Sequence, residues 1–360
     1  MGLTPASSAS PSSTSASSAS PSPTAAALAI DAGNSKTDVA LVAADGSVLG
    51  AARGGGFQPP VVGAEAAVDA LGGTVARAAQ DAGLDAEAAD AGTPLAEHVS
   101  ACLANADLPR EERELAALVD GRGWGRTSAV ANDTFAILRA GLPDDGSVRH
   151  GVAVVCGAGV NCVGVAEDGR THRFPAVGRL SGDWGGGGGL AEEALWHAAR
   201  AEDGRGEDTE LARALPAHFG LPSMYALIEA FHLGDLPGAR RHELVPVLFA
   251  VADGGDAVAR ALVHRQAEEI TAMATVALER LDLLDTPTPV VLGGSVVAAR
   301  HRLLHGRLLE LLAARAPRAG VEVVTAPPVL GAALLALDRL AAGPAACARL
   351  RAHYAAHARA

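Results

Sequence analysis

The chain has 360 residues and a net charge of −12, with 49% hydrophobic and 19% charged side chains. This acidic balance argues against nucleic acid or an anionic membrane as the main partner, and no run approaches the roughly 20 apolar residues that a membrane helix needs. The four cysteines include no CxxC pair, which excludes a disulfide scaffold and a standard zinc site and predicts a reducing, cytoplasmic location. Aromatic side chains make up only 3%, so alanine, valine and leucine must form the core of what we expect to be an α/β protein.

The first 27 residues differ in composition from the rest. Residues 3–24 are almost wholly Ser, Ala, Pro and Thr, and such a segment cannot bury enough apolar surface to offset the entropy of ordering its backbone. We therefore interpret residues 1–27 as a disordered tail and expect ordered structure from Leu28 onwards.

A pattern of three strands joined by short turns opens the ordered part. Residues 28–30, 38–43 and 48–52 predict strands, separated by a turn at 31–37 and an Asp-Gly turn at 45–46. The spacing of Val61, Val68, Leu71 and Val75 predicts a helix, and a strand over residues 127–131 ends at Asn132 and Asp133. The three-strand pattern then recurs: strands at 152–155 and 162–166 flank a turn at 157–161, and the turn Asp168-Gly169 leads into a third strand. Two copies of one unit predict two related α/β halves that face a cleft.

The remaining elements follow from periodicity. A helix is predicted from Leu190, with Glu192 and Glu193 in its first turn, where the helix dipole favours acidic side chains. Helices are also predicted near 256–281, over the segment that carries Leu303, Leu304, Leu308 and Leu311, and over 329–340; strands are predicted at 289–292 and 321–324.

Three turns that follow apolar strands are suited to bind phosphate through their backbone. They are residues 31–37, 157–161 and 293–295, and small residues there allow N–H groups to approach phosphate oxygens. A single glycine turn between strands is more often only a turn, but three in one chain favour nucleotide binding.

Asp31 and Lys36 lie in the first of these turns. A carboxylate at this point can hold Mg²⁺ through water, although an Asp can also cap its own turn. Lys36 is the only lysine among the 29 basic residues, the others being arginine. This indicates a need for a point charge near phosphate; the alternative is a solvated lysine retained by chance.

Two further carboxylates are candidates for the acceptor side of a reaction. Asp133 follows a strand and can take a proton from a substrate hydroxyl as a general base, or it can be the N-cap of the next helix. Asp183 precedes the glycine run 185–189 and is suited to bind sugar hydroxyls; alternatively, it belongs to a flexible loop, since consecutive glycines favour mobility.

The sequence contains no standard metal-binding motif and no standard dinucleotide- or P-loop-type phosphate-binding motif. The pairs His301/His305 and His353/His357 have the spacing of helix metal ligands, but neither has a Glu placed as in HExxH. We interpret both pairs as solvated helix faces. The sequence contains neither GxGxxG nor GxxxxGK[ST].

Taken in order, five segments resemble the BadF/BadG/BcrA/BcrD ATPase family, which includes N-acetylglucosamine and glucosamine kinases and belongs to the actin/hexokinase/Hsp70 superfamily. Residues 28–38 (LAIDAGNSKTD) are similar to the first phosphate motif, Asn132-Asp133 to the segment with the catalytic Asp, and residues 156–162 (CGAGVNC) to the second phosphate motif. Residues 182–185 (GDWG) resemble the sugar-contacting GDxGS segment, and residues 291–295 (VLGGS) the adenosine motif. The resemblance implies an α/β, actin-like (ribonuclease H-like) ATPase fold with two related lobes around a nucleotide cleft.

The resemblance also implies a role for each motif. Asp31 would hold Mg²⁺, and Asp133 would be the catalytic base. ATP would be bound by Gly33, Asn34, Ser35, Lys36, Thr37, Gly157, Ala158, Gly159, Gly293, Gly294 and Ser295. The sugar would be bound by Gln58, Asn132, Asp133, Gly159, Asp183 and Gly187. Two departures concern the choice of sugar: Ala158 replaces the usual Thr, and Gln58 lies near the place where these kinases usually have Asn-His.

We expect an N-terminal lobe over residues 28–140, with a closing helix at 329–342 packed on it, a C-terminal lobe over 141–328 and a helical tail over 343–360. The implied activity is transfer of the γ-phosphate of ATP to the 6-hydroxyl of N-acetylglucosamine or glucosamine, and a homodimer is expected by analogy. Two alternatives are an ATPase that activates a partner enzyme, although the cysteines lack the spacing of an iron–sulfur cluster, and a non-catalytic sugar or nucleotide sensor.

Overall fold

The computed structural model describes residues 25–85 and 93–357. Two five-stranded sheets form its framework. The first contains β1 (Ala25–Ala32), β2 (Thr37–Val42), β3 (Val48–Gly54), β4 (Ala96–Leu103) and β5 (Gly125–Asn132); the second contains β6 (Gly151–Cys156), β7 (Val160–Val165), β8 (Thr171–Arg173), β9 (Thr288–Gly293) and β10 (Ala319–Val323).

The two sheets have the same topology. The first has the order β3-β2-β1-β4-β5 and the second β8-β7-β6-β9-β10. In each, the first three strands pair antiparallel, and the last two extend the sheet by parallel pairing. The internal repetition predicted from the two hairpin units is therefore confirmed.

Helices cover both sheets. They are α1 (Pro59–Val62), α2 (Ala64–Asp81), α3 (Pro109–Asp120), α4 (Thr134–Gly141), α5 (Gly186–Glu202), α6 (Leu211–His218), α7 (Met224–Leu233), α8 (Leu244–Asp253), α9 (Ala257–Arg280), α10 (Ser295–Ala298), α11 (Arg302–Arg315), α12 (Pro328–Arg339) and α13 (Pro344–His357). Among the residues described, no helix is both long and apolar enough to cross a membrane.

Strand β1 shows how the first sheet buries both of its faces. Successive side chains of a strand point to opposite faces, and here Leu28 and Ile30 pack with α2, whereas Ala27 and Ala29 pack with α12. The small alanines allow α12 to approach the sheet closely. Helix α12 also contacts α4, which packs on the second sheet, so this pair of helices joins the two halves of the molecule.

The contact between α4 and α12 depends on one glycine. A Cβ atom added at Gly331 would lie 1.8 Å from the backbone oxygen of Ala136. Only a residue without a side chain allows the two helices to cross at this distance.

Most predicted elements are confirmed to within two residues at each end, and the exceptions have local causes. Strand β1 begins at Ala25 rather than Leu28, because the Ala25 amide donates a hydrogen bond to the Leu95 oxygen (3.0 Å) and pairs with Ala96. The prediction of a disordered tail over residues 1–27 is wrong for residues 25–27, which belong to β1, and residues 1–24 lie outside the described residues. Val61 lies in the separate helix α1 and is exposed, so it does not belong to the buried stripe of α2.

Strand β4 was not predicted. Its polar residues His98 and Ser100 are buried with its apolar ones, because β4 lies inside the sheet and helices, among them α2 and α12, cover both sheet faces. The side chain of His98 has a hydrogen-bond partner in Thr127, with 2.8 Å between Nδ1 and Oγ1. A strand buried on both faces lacks the alternation that reveals a strand from sequence.

Candidate active site

Three acidic residues meet at one edge of the first sheet. In the strand register Ala32 pairs with Leu103, and Leu103 pairs with Asn132, so β1, β4 and β5 end together. Asp31 lies at the end of β1, Asp107 in the loop after β4, and Asp133 directly after β5. Ligands of α/β proteins bind at this carboxyl edge.

The three carboxyl groups have raised pKa values. Burial, and then the charges of Asp133 and Asp38, raises the pKa of Asp31 to about 8. Burial and the charge of Asp133 raise the pKa of Asp107 to about 7, and burial raises the pKa of Asp133 to about 6. Such shifts are typical of functional sites, and a bound cation would offset the repulsion between these like charges.

Asp107 and two asparagines form a hydrogen-bonded triangle beside Asp133. Asn132 Nδ2 donates to Asp107 Oδ1 at 2.7 Å. Asn161, on β7 of the second sheet, donates through Nδ2 to Asn132 Oδ1 at 3.2 Å and to Asp107 Oδ1 at 3.4 Å. The triangle therefore connects the two halves of the molecule across the candidate site.

The structure bears on both interpretations of Asp133, as a base and as a helix cap. Its side chain makes no N-cap hydrogen bond with α4. The Thr134 amide instead donates to Asn132 Oδ1 at 2.9 Å. Asp133 thus occupies the N-cap position of α4, while Asn132 accepts the hydrogen bond from the Thr134 amide. Polar groups of Thr134 next to the Asp133 carboxyl partly offset the rise in its pKa that burial causes.

The first phosphate turn is held by its neighbours. The Gly33 amide donates to the Lys36 oxygen (2.9 Å), and Gln58 Nε2 donates to the Asn34 oxygen (2.9 Å). Asn105, after β4, donates to the Asn34 side chain (2.9 Å). The amide of Gln58, which we predicted to contact sugar, is thus used to hold the turn.

Lys36 is paired with a carboxylate and lines a second cavity, which Gly294 and Ser295 of the third turn also border. Its Nζ lies 3.1 Å from Asp38 Oδ2, while Arg53 Nε lies 2.6 Å from the other oxygen of the same carboxylate. Lys36 lines a cavity of about 800 Å³ together with Arg53 and Tyr354, and His353 and His357 of α13 contribute to the same wall. Thr37, the next residue, is buried in β2.

The second phosphate turn packs against the start of α5. The amides of Gly187 and Gly188 donate to the oxygens of Gly157 (2.7 Å) and Ala158 (2.9 Å). A Cβ atom at Gly186 would lie 2.5 Å from the Gly159 carbonyl carbon, so the close approach requires glycine. The run that we interpreted as a loop is in fact the first turn of a helix.

This placement corrects a second expectation. Because α5 begins at Gly186, Glu192 and Glu193 lie in its second turn, and no acidic side chain occupies the first. The Gly186 amide is satisfied by Gln266 Oε1 of α9 at 2.8 Å. A side chain from a distant helix thus supplies the acceptor at this helix start.

The third turn completes one nucleotide-sized cavity. Gly293 ends β9 and Gly294 has a φ of 88°; a Cβ on Gly294 would lie 2.4 Å from the Cys156 carbonyl. The cavity measures about 850 Å³ and is lined by Ser35 from the first turn, by Gly157, Ala158 and Gly187, and by Ser295 from the third. The structure therefore brings residues of all three predicted turns to one hollow.

The residues that form the outer wall of this cavity were not predicted from the sequence. Phe249 of α8 and His301 line it, with their ring centres 4.4 Å apart. His301 Nε2 lies 2.9 Å from Asp253 Oδ2. His301 is therefore a packed residue, and the expectation of a solvated face is wrong for it.

The carboxylate of Asp183 stabilises the turn in which it lies. Its Oδ2 accepts hydrogen bonds from the Gly178 amide (3.0 Å) and from Ser181 Oγ (2.6 Å). Among the described residues no hydrogen bond joins Asp183 to the acidic edge of the first sheet. In this conformation, its predicted contact with sugar would use the remaining lone pairs.

The described residues fit Mg²⁺ and ATP. A Cβ atom placed on Gly159 would meet no atom within 4 Å, which leaves open space beside the second turn for a phosphate group. Mg²⁺ usually takes only one or two protein carboxylates and completes its shell with water and phosphate oxygens. Asp31, at the end of β1, offers one such carboxyl beside the first turn.

Comparisons with known proteins agree with this geometry. The chain is 26% identical over 244 residues to an N-acetyl-D-glucosamine kinase of Dictyostelium discoideum, which covers 66% of this chain and 75% of the relative. It is 24% identical over 208 residues to an N-acetylmuramic acid/N-acetylglucosamine kinase of Clostridium acetobutylicum, covering 57% and 67%. A crystal structure from Chromobacterium violaceum, provisionally named an N-acetylglucosamine kinase, superposes with a TM-score of 0.64 at 24% identity and covers 88% of this chain and 100% of that one.

The likeness to the solved structure confirms the predicted actin-like α/β fold. The model of one family, described as the BadF/BadG/BcrA/BcrD ATPase family, matches residues 28–336. That range includes both sheets and all three phosphate turns, and we conclude that the chain belongs to the BadF/BadG/BcrA/BcrD ATPase family.

Proposed function

We propose that the protein is an ATP-dependent carbohydrate kinase that phosphorylates the 6-hydroxyl group of an amino sugar, N-acetylglucosamine or glucosamine. The observation that carries the proposal is Asp133, a carboxyl that makes no side-chain cap bond to α4 and lies close enough to Asp31 of the first turn to raise the pKa of Asp31. Asp133 also follows Asn132, which Asn161 of the second turn contacts. The raised pKa of Asp133, about 6, suits a general base at neutral pH. The names of the two curated relatives support the amino sugar as acceptor.

The nucleotide would occupy the 850 Å³ cavity. Gly33–Thr37 and Gly157–Gly159 would surround the phosphates, and Gly293, Gly294 and Ser295 would line the adenosine. Lys36 would reach a phosphate only by leaving Asp38, its present partner at 3.1 Å. Bound Mg²⁺, held by Asp31, would supply positive charge to the phosphate oxygens.

Asp133 would act on the acceptor. As the sugar oxygen forms a bond to the γ-phosphorus, the bond from that phosphorus to the β–γ bridging oxygen breaks and ADP leaves. The hydroxyl proton passes to the Asp133 carboxylate, which later releases it to solvent. In phosphoryl transfer, positioning and electrostatic stabilisation supply most of the rate, so the fixed neighbours of Asp133 matter as much as the base.

The sugar would lie between the two lobes, against Asn132, Gly159 and Gly187. Gln58 and Asp183 are the outer candidates for sugar contacts, since each also stabilises its own turn. Closure of the lobes would exclude water and thereby limit hydrolysis of ATP.

The cysteines favour a kinase over an ATPase with a shared iron–sulfur cluster. Cys102, Cys156, Cys162 and Cys347 are all buried. Burial raises the pKa of each thiol, for Cys156 to about 12. The four thiols lie on separate elements, β4, β6, β7 and α13, and none is exposed to share a cluster with a second subunit.

A screen of ADP release over amino sugars and neutral hexoses tests the proposal. We expect the highest turnover with an amino sugar, the phosphate on its 6-oxygen by NMR, and loss of turnover in Asp133→Asn. A folded protein that hydrolyses ATP at the same rate with and without every sugar would overturn it.

A further inference from the structure

We propose that Asp107 is a second acceptor-site carboxylate, which binds a hydroxyl group of the sugar through Oδ2 and so contributes to the choice of sugar. The inference rests on the kinase function proposed above. No sequence motif indicated Asp107; its place in the tertiary structure does.

Asp107 is brought to the site by the strand next to β5. The ladder between β1 and β4 continues past the strand end, where the Ala104 amide donates to the Ala32 oxygen at 2.8 Å. This carries the chain on to Asp107, whose carboxyl lies 2.7 Å from Asn132 Nδ2. Asn132 is the residue before the proposed base, so Asp107 lies beside the acceptor position.

The two oxygens of this carboxylate are used differently. Oδ1 accepts hydrogen bonds from Asn132 and from Asn161. Oδ2 receives none from any residue in the described part of the chain. An ionised carboxylate is purely an acceptor with room for several donors, and Asp107 is only half-buried, so a donor group of a ligand can reach Oδ2. A sugar hydroxyl is a donor that fits this vacancy.

Asp107 is held in place by residues of both lobes. A side chain that selects between substrates needs such fixed positioning. Arg173 of β8 donates through Nη2 to the Asp107 backbone oxygen at 3.0 Å. Through Nη1 the same guanidinium bonds Glu112 of α3 at 2.6 Å. Arg173 thus fixes the loop that carries Asp107, and its hydrogen bonds leave the Asp107 carboxyl oxygens to other donors.

The role differs from that of Asp133. Asp107 is tied to two side-chain amides, whereas the base must exchange its proton with the acceptor. A site built to hydrogen-bond a hydroxyl discriminates strongly against an analogue that lacks it, because the buried polar group is then left unpaired. Asp107 therefore selects sugars that carry a hydroxyl at one particular ring position.

Steady-state kinetics with a series of monodeoxy sugars, measured for the wild type and for Asp107→Asn, test this assignment. Asparagine keeps an oxygen for Asn132 and removes the charge, so we expect the fold to be retained and the KM for the parent sugar to rise about 10- to 100-fold, with the KM for ATP within about twofold of wild type. One monodeoxy sugar in the series should bind wild type and variant equally, because it lacks the contacted hydroxyl. Glu114→Gln, on the exposed face of α3, is the matched control and should change nothing.

Two results would contradict the assignment of Asp107 to sugar binding. An equal penalty for every deoxy sugar, or a parallel rise in the KM for ATP, would show a structural role and overturn the assignment. Asp107→Ser, which also removes the carboxylate, replaces Asp107→Asn if thermal melting shows that the latter is unfolded. Sugar binding measured by calorimetry with a non-hydrolysable ATP analogue separates the two proposals, since it tests Asp107 even if the wild type turns over no sugar.

Discussion

Replacing Asp133 with asparagine is the most direct test of the proposed chemistry. The substitution keeps size and hydrogen-bonding ability but removes the ability to accept the hydroxyl proton. General bases contribute roughly 10²- to 10⁴-fold to a rate, which corresponds to about 3–5 kcal/mol of activation free energy. We expect kcat to fall by this amount, with little change in the KM for ATP.

The pH profile provides an independent signature of the same residue. The ionised form is the base, and its pKa is raised to about 6, so activity is lost as pH falls through that value. At pH 5 roughly a tenth of the Asp133 carboxyl groups are ionised, so kcat, measured with sugar, ATP and Mg²⁺ saturating so that sugar binding by Asp107 does not limit the rate, should be about tenfold below its plateau. In Asp133→Asn this slope should disappear.

A continuous ADP-release assay from pH 5 to 8.5, with the protein checked for folding at each pH, measures both effects. Asp168→Asn, on the exposed turn before β8, is the control and should retain the wild-type profile. Full kcat in Asp133→Asn, or an unchanged acid limb in that variant, would refute the assignment of the base.

Four further substitutions test other parts of the structure. Gly159→Ala adds a methyl group where no atom lies within 4 Å, so we expect an unchanged melting temperature but a rise of roughly tenfold or more in the KM for ATP. Gly331→Ala would place its Cβ against the Ala136 oxygen and should cost about 1–3 kcal/mol in the free energy of unfolding; Gly306→Ala, in a helix with open space around it, should instead add about 0.5–1 kcal/mol. Asp31→Asn should abolish Mg²⁺-dependent turnover yet raise the melting temperature of the ligand-free protein at pH 9.

The sign of the Asp31 prediction follows from linkage. Its pKa is raised from 3.8 to about 8 in the folded state, so the folded protein binds a proton more readily than the unfolded chain does. The resulting stabilisation is complete below the unfolded pKa and is lost as pH rises through about 8. A larger gain in melting temperature at pH 5 than at pH 9 would contradict this reasoning.

The two helix glycines are predicted to change the free energy of unfolding in opposite directions: Gly331→Ala lowers it and Gly306→Ala raises it. Equal effects of Gly331→Ala and Gly306→Ala on denaturant unfolding would show that the crossing of α4 and α12 tolerates a side chain. An unaffected KM for ATP in Gly159→Ala would remove the second turn from the phosphate site.

Much of this protein is determined by local sequence. Apolar runs such as residues 28–30 bury themselves as strands, and the small residues after them permit tight turns. The repeated strand–turn–strand pattern was therefore visible, and with it the duplicated architecture. Asp31 and Asp133 could be selected because each directly follows such a strand.

Tertiary structure decided what those patterns could not show. No motif indicated Asp107, which reaches the site because β4 lies beside β5. Asn161 and His301 stand in patterns that the sequence shows, but their contacts with Asn132 and Phe249 come from elements distant in the chain. The glycine run is a helix start because Gln266, 80 positions away, satisfies the Gly186 amide. Periodicity records only neighbours in sequence, whereas the donors and acceptors that complete this site come together through long-range strand register and helix packing.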